Sequence, residues 1–301
     1  MSLPWVTPTP LNGILKNRMK LINIIAALGL ALILGGCAST SKAPLREMRA
    51  FAAESAKLGA FAELTTRYRD TYQREQPYLS PAADLIERQQ DAQRRAAYED
   101  FIHIQESLVL YMQALGKLAG DDEYDFSDHL KKIGAGVKAW PDSGLDARHV
   151  TAYTTIGRLI GQMLSASYQE RSARALVMDG AAPVDSLLDA MVALLRYYDK
   201  TNGNEKKIVL GMFEIEIPFA DAPGDRLLST LAKAHYQSKA AEYGLVQRRY
   251  ALAERNLAAI AEGHRRLVAH LAGAPVAPAP ALLESSRAIR ASRVELDAPA
   301  Y

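Results

Sequence analysis

Tyr236, Tyr243, Tyr250, Leu257, His264 and Leu271 recur every seven residues near the end of this chain. Ala232, Val246, Ala253, Ile260 and Leu267 run between them, with Lys239 as the charged exception. Alternating steps of three and four draw one stripe down an α-helix. The pattern predicts a helix over residues 225–271, about 70 Å long at about 1.5 Å per residue. A strict seven-residue repeat twists such a helix left-handed around its neighbours. A helix of that length is either the backbone of a bundle or a protrusion from one.

The preceding sequence supplies the neighbours. Residues 44–78 form a first helix with Pro44 in its first turn, where a missing amide costs nothing. Met48, Phe51, Ser55, Leu58, Phe61, Thr65, Tyr68 and Tyr72 make its apolar stripe, and Arg67, Arg69, Asp70, Arg74 and Glu75 lie largely off it. Ser80-Pro81 restarts helix as cap and first residue, and Ala97, Phe101, Ile104, Leu108, Tyr111, Leu115 and Leu118 carry the stripe toward Ala119. Its early half, 87–95, is polar enough to project beyond the bundle or face water.

A shorter helix is expected over 126–140, lined by Leu130, Ile133 and Val137, weakened by Gly134 and Gly136 and stopped by Pro141. Another is expected over 147–178, striped by Val150, Tyr153, Ile156, Ile160, Met163 and Ala166, with a break at Gly180-Ala181-Ala182-Pro183. A helix then runs from Pro183 toward Tyr198. Thr201-Asn202-Gly203-Asn204 reads either as a turn or as continuous helix with an exposed glycine. The alternation at Phe213, Ile215 and Ile217 looks strand-like, but an isolated strand has no partner, so helix bending at Pro218 is expected. After Gly273 an Ala/Pro-rich tail, 273–301, is expected to be partly disordered, with one weak helix over 282–296. The fold class is therefore all-α, an elongated antiparallel bundle spanning 44–272.

The N-terminus carries a different kind of information. Lys20 begins a positively charged start, Leu21 to Leu34 is an apolar run broken by Asn23 and Gly29, and small residues close it. This run is shorter than the roughly 20 residues that span a bilayer comfortably. Residues 1–18, with Pro4, Pro8 and Pro10, fit no helix, and Met19 is the more natural start. The competing reading is an uncleaved anchor helix over 11–34.

Leu34-Gly35-Gly36-Cys37 resembles the lipobox of bacterial lipoproteins. The resemblance implies cleavage between Gly36 and Cys37, with diacylglyceryl on the Cys37 thiol and an acyl group on the new amine. Export signal 1–36 is then lost, and 37–43 is a lipidated N-terminus and short tether. Multiple acyl chains hold a protein stably at a membrane without a spanning helix. Ala38 and Ser39, rather than Asp, follow the cysteine, which in this family implies the outer membrane, facing the periplasm or the surface. Cys37 is the sole cysteine of 301 residues, so the mature chain forms no internal disulfide.

Formal charge is +2, and loss of Lys16, Arg18 and Lys20 leaves the mature chain near −1. Nucleic-acid binders concentrate positive charge, so none is expected as a partner. The chain contains no HExxH, Walker A, CxxC, GxSxG or dinucleotide fingerprint. The acids of Gly120-Asp121-Asp122-Glu123-Tyr124-Asp125 lack the ligand order of a calcium loop and read as a solvated turn. His264 and His270 are six apart, which misses the spacing for paired imidazoles. His103 and Glu106 run in the wrong order for a di-metal bundle. No catalytic residue, metal ligand or cofactor is expected beyond the lipid on Cys37. Tyr236, Tyr243 and Tyr250 form either a packing seam or a groove for a partner helix or aromatic ligand. The leading expectation is a membrane-anchored, non-enzymatic interaction or scaffold module with an envelope protein partner. The alternative is a periplasmic carrier or sensor of an apolar or aromatic small ligand.

Overall fold

The computed structural model describes residues 42–120, 136–164, 169–220, 222, 224–273 and 278–297. The chain divides into two units, Met1–Leu45 and Arg46–Tyr301. Gly36, Cys37 and the leader lie outside the described residues, as do the acidic turn from Asp121 and most of the helix expected over 126–140.

The second unit is an all-α bundle with long helices. In chain order the helices are α1 (Lys42–Ser55), α2 (Gly59–Arg69), α3 (Thr71–Glu75), α4 (Pro81–Leu118), α5 (Ala147–Leu164), α6 (Gln169–Glu216), α7 (Arg226–Leu271) and α8 (Pro278–Asp297). Helix α6 is central: α4, α5 and α7 all pack against it, and α8 lies along α7.

The expected stripes hold even where the helices break. Met48, Phe51, Ser55, Leu58, Phe61, Thr65 and Tyr68 are all buried. The single helix expected over 44–78 is nonetheless three segments, α1 to α3, followed by a short 3-10 turn, Gln76–Tyr78. At the first break Leu58 caps α2, and its carbonyl accepts both from the Phe61 amide at 3.0 Å and from Gln105 Nε2 at 3.1 Å, so a side chain on α4 ties down the break. Helix α4 starts as its sequence dictates: Ser80 Oγ accepts from the Ala83 amide at 3.3 Å and Pro81 occupies the first position.

Helix α6 corrects the expected break at Gly180-Pro183, because it runs through both residues. A mid-helix proline costs about 3 kcal/mol. Val184, Leu187, Leu188, Ala190 and Met191 directly after it are buried, and that packing outweighs the penalty. Gly180 has a different role: a Cβ there would lie 2.7 Å from Cε2 of Tyr111, so glycine permits close approach of α4. The helix also continues through Thr201-Asn204, and Gly203 opens onto free space. It ends in the 3-10 turn Ile217–Phe219 at Pro218, as expected.

The helix expected to reach Trp140 does not do so. Residues 136–139 are irregular, Gly136 has φ +74°, and Trp140 bridges Leu145 around the turn Pro141–Ser143. Past Gly273 the weak helix expected over 282–296 is α8, and it belongs to the body. Leu282 and Ile289 are buried, and Asn256 on α7 donates to the Ile289 carbonyl at 3.0 Å and to Ser292 Oγ at 2.9 Å.

Candidate functional site

The heptad stripe of α7 lies where its spacing puts it. Tyr243, Tyr250, Leu257, His264 and, from the companion set, Val246, Ala253, Ile260 and Leu267 are buried, while Tyr236 is half-buried. The three tyrosines have different surroundings. Tyr236 donates to Glu214 at 3.0 Å near the surface. Tyr243 and Tyr250 sit inside a polar seam that runs between α2, α3, α6 and α7.

Glu205 is the centre of that seam, with no exposed surface. Arg74 grips it with two parallel bonds, Nε to Oε1 at 2.9 Å and Nη2 to Oε2 at 2.8 Å. Tyr243 donates its hydroxyl to Oε1 at 3.0 Å, and Arg67 Nη2 stands 3.6 Å from the same oxygen. Arg67 also pairs with Glu242 at 3.1 Å, and Glu242 accepts from Lys239 at 2.9 Å. Burial alone would lower the Arg74 pKa, but the Glu205 carboxylate raises it above the usual guanidinium value. Burial, then the charge and hydrogen bond of Glu205, push the Tyr243 hydroxyl well up. A fully desolvated carboxylate is tolerable only when its lone pairs are filled this way.

A second cluster adjoins it. Glu75 is 2% exposed, its Oε1 is buried with no hydrogen-bond partner, and the Glu87 carboxyl is close enough to oppose its ionisation. Burial first, and then the neighbouring Glu87 carboxyl, push the Glu75 carboxyl up to about 8, against the lowering effect of Arg94. Arg94 itself is buried and holds Glu87 at 3.1 Å.

Sequence reading missed these groups. It placed Arg67, Arg74 and Glu75 off the apolar stripe, and it let the helix after Pro183 stop near Tyr198. Extended as one helix, the stripe Met191, Leu194, Tyr198 continues through Asn202, Glu205 and Val209 at the same spacing. A carboxylate on an apolar stripe was the available signal.

Two buried histidines are held by neighbours within the body. Burial lowers the His264 pKa to about 4, and its Nε2 lies 2.8 Å from the Tyr111 hydroxyl. His149 is buried with Nδ1 accepting from the Asp146 amide at 3.0 Å, and Nε2 faces Asp189 at 3.4 Å. His103 and His264 share no cluster. Among the described residues no group of three or more His, Cys, Asp or Glu is arranged to hold a metal.

The bundle end where α6 stops and α7 starts has another character. Tyr78 bonds His235 at 2.8 Å and meets the Phe213 ring edge-on at 5.6 Å, closing the core there. Outside this cap Phe219 is 81% exposed, and Ile215, Leu227, Leu228 and Leu231 also lie open, with Leu85 and Ile86 at the start of α4. Single exposed apolar side chains are ordinary, and these lie on the end of α6, the turn after it and the starts of α7 and α4.

Cavities are small or open. The crevice beside Phe61, Ala253, Leu257 and Arg293 holds about 10 Å³, one water molecule at most. Two wider grooves, one along Lys206, Lys207 and Gln247 and one along Arg148, Asp189 and Arg196, are open to solvent and lined by mixed polar and apolar groups. Among the described residues no helix is long and apolar enough to cross a membrane. No protein-family model matches this chain, and no curated protein or solved structure is significantly similar to it.

Proposed function

We propose that this chain is a lipid-anchored envelope protein whose helical body is a non-enzymatic interaction module. The observation that carries the reading is the exposed apolar end of a bundle whose charged groups are paired inside it. Ile215, Phe219, Leu227 and Leu231 face solvent, whereas Glu205, Arg74 and Tyr243 spend their polarity on one another. Catalytic groups need access to a substrate. Glu205 at their centre has no exposed surface, so we read the seam as a lock on helix register.

The anchor half of the reading rests on the leader sequence and Cys37. Small-ligand carriage has weaker support, since the wider grooves are open and mixed in lining.

The test is affinity capture from solubilised envelopes, with Cys37→Ala as control, beside mass spectrometry of the purified protein. A diacylglyceryl-modified N-terminal Cys37 and a reproducible envelope protein captured with the intact chain are expected. A free thiol behind an intact leader overturns the anchor. Recovery of a small molecule with no protein overturns the interaction module.

A further inference from the structure

Helix α8 is attached to the body by few contacts. It packs along α7 and touches α2, whereas the packing of α4, α5 and α7 on α6 does not involve it. Its inward face carries Leu282, Ser285, Ser286 and Ile289, so among the described residues two large apolar side chains are buried over a helix of 20 residues. Leu283 and Val294 are exposed. Two serines turn back on their own helix: Ser286 donates to the Leu282 carbonyl at 2.8 Å and Ser292 to the Ala288 carbonyl at 3.0 Å. Those bonds travel with α8. The charged ties are also easily released. Glu54 accepts from Arg290 at 2.8 Å, with Arg293 at 3.6 Å, and Arg266 stands 3.6 Å from Glu284. Arg290 and Glu284 are exposed, and Glu54 keeps Lys57 at 3.1 Å without α8, so departure strands no charge.

Beneath α8 lies one face of α7. Leu227, Leu231, Ala234, Ser238, Ala241 and Leu245 follow steps of four and three along it; the first five are exposed and Leu245 is half-buried. The same line runs on through Leu252, Asn256 and Gly263, all buried, where Asn256 bonds α8 and Gly263 lies against Phe51.

We propose that α8 is a strap: it lifts from α7 as one piece while the bundle stays folded, and so lengthens the open face of α7 from Leu245 to Asn256. The motion follows from the contacts of α8. Its consequence, control over how long a face the body offers, rests on the reading of the body as an interaction module. A contact with two apolar anchors opens before a core that buries Phe101, Leu108, Leu187 and Leu194 gives way. A partner that needs the longer face binds the lifted state, so its apparent affinity is scaled by the fraction lifted. Asn256 is the catch, because its amide holds two groups of α8 at once.

Thiol labelling of the full chain in a Cys37→Ala background tests the motion apart from the anchor. Ser286→Cys puts one thiol on the covered face of α8, and Ser107→Cys puts one in the core of α4, where the serine has no exposed surface. Under native conditions Ser286→Cys is expected to react with a maleimide at least about tenfold faster than Ser107→Cys. Adding Asn256→Leu is expected to quicken Ser286→Cys about tenfold again and to leave Ser107→Cys unchanged. Equal rates from the two thiols, or equal acceleration of both, overturn the strap. Hydrogen exchange of the unsubstituted chain decides the same point without a variant. Amides over 285–290 should exchange with little dependence on urea and those of α6 with a steep one, since a lifting strap exposes less surface than an unfolding bundle. Equal slopes overturn the strap. Failure of the interaction module shows in the affinity capture and leaves these rates as they are, so the two readings fall separately.

Discussion

Tyr243 gives its hydroxyl hydrogen to Glu205, a carboxylate with no exposed surface, while Arg74 binds both oxygens of the same group. Four helical segments meet at this point, and each contributes a donor or acceptor that only one register satisfies. The seam specifies how α6 and α7 align more than it stabilises them, since the desolvation of paired ions offsets much of their attraction.

Removing one partner exposes that asymmetry. Glu205→Ala leaves the half-buried Arg74 without its anion and is expected to cost about 3 kcal/mol. Tyr243→Phe removes one bond to a charged acceptor and should cost about 1.5–3 kcal/mol. Tyr236→Phe, at the exposed end of the same ladder, should leave the midpoint where it is. Urea unfolding followed by circular dichroism gives all three, and equal losses from the two tyrosine variants would contradict the seam.

Gly263 is needed for contact, not flexibility. A Cβ at this position would clash with Cε2 of Phe51, which is itself fully buried. Gly263→Ala ordinarily favours a helix by about 1 kcal/mol. Here overpacking of about 1–3 kcal/mol should reverse the sign. Phe51→Leu in the same chain should return part of the loss, and a thermal-melt double-mutant cycle measures that coupling.

Two buried groups set opposite pH limits. The Glu75 carboxyl holds its proton up to about pH 8 in the folded chain, against 4.5 for the ordinary group. Its contribution is complete below 4.5 and is lost as pH rises toward 8, because the unfolded chain sheds the proton first. His264 is lowered from 6.5 to about 4 by burial. Its contribution is complete above 6.5 and is lost as pH falls toward 4, where the unfolded chain takes the proton first. Glu75→Gln mimics the protonated carboxyl and should flatten the alkaline side of a stability–pH curve. His264→Gln should flatten the acid side, whatever either does to absolute stability.

The sequence made some elements legible because one local cause settled them. Ser80-Pro81 fixes the start of α4 by capping, and the seven-residue repeat fixes the length and buried face of α7. Elements decided by tertiary packing were not legible. Gly180 and Pro183 read as a break, yet Tyr111 lies against the one and buried leucines follow the other. Tyr198 read as near the end of a helix, and that choice hid Asn202 and Glu205 from the stripe. The arginines that meet them, Arg67 and Arg74, sit on short segments whose kinks no periodicity announces. Two carboxyls such as Glu75 and Glu87, twelve residues apart, meet only because the turn Gln76–Tyr78 folds α3 back on α4.

One amide on α7 joins two groups of helix α8. Asn256 Nδ2 donates to both Ile289 O and Ser292 Oγ, and further ties include Arg290 to Glu54 at 2.8 Å, Arg293 to Glu54 at 3.6 Å and Arg266 to Glu284 at 3.6 Å. Exposed ion pairs add little, so the amide and the burial of Leu282 and Ile289 hold the helix down. Asn256→Leu preserves the volume but leaves the buried Ile289 carbonyl and the half-buried Ser292 hydroxyl with one donor fewer, at about 1–3 kcal/mol. That loss falls on α8 alone, because the seam between α6 and α7 does not pass through Asn256. Hydrogen exchange should therefore quicken across 282–296 by about tenfold or more, at 1.4 kcal/mol per decade, while α6 amides keep their protection. Uniform acceleration across α6 and α8 would mean that the C-terminal helix unfolds only with the whole bundle.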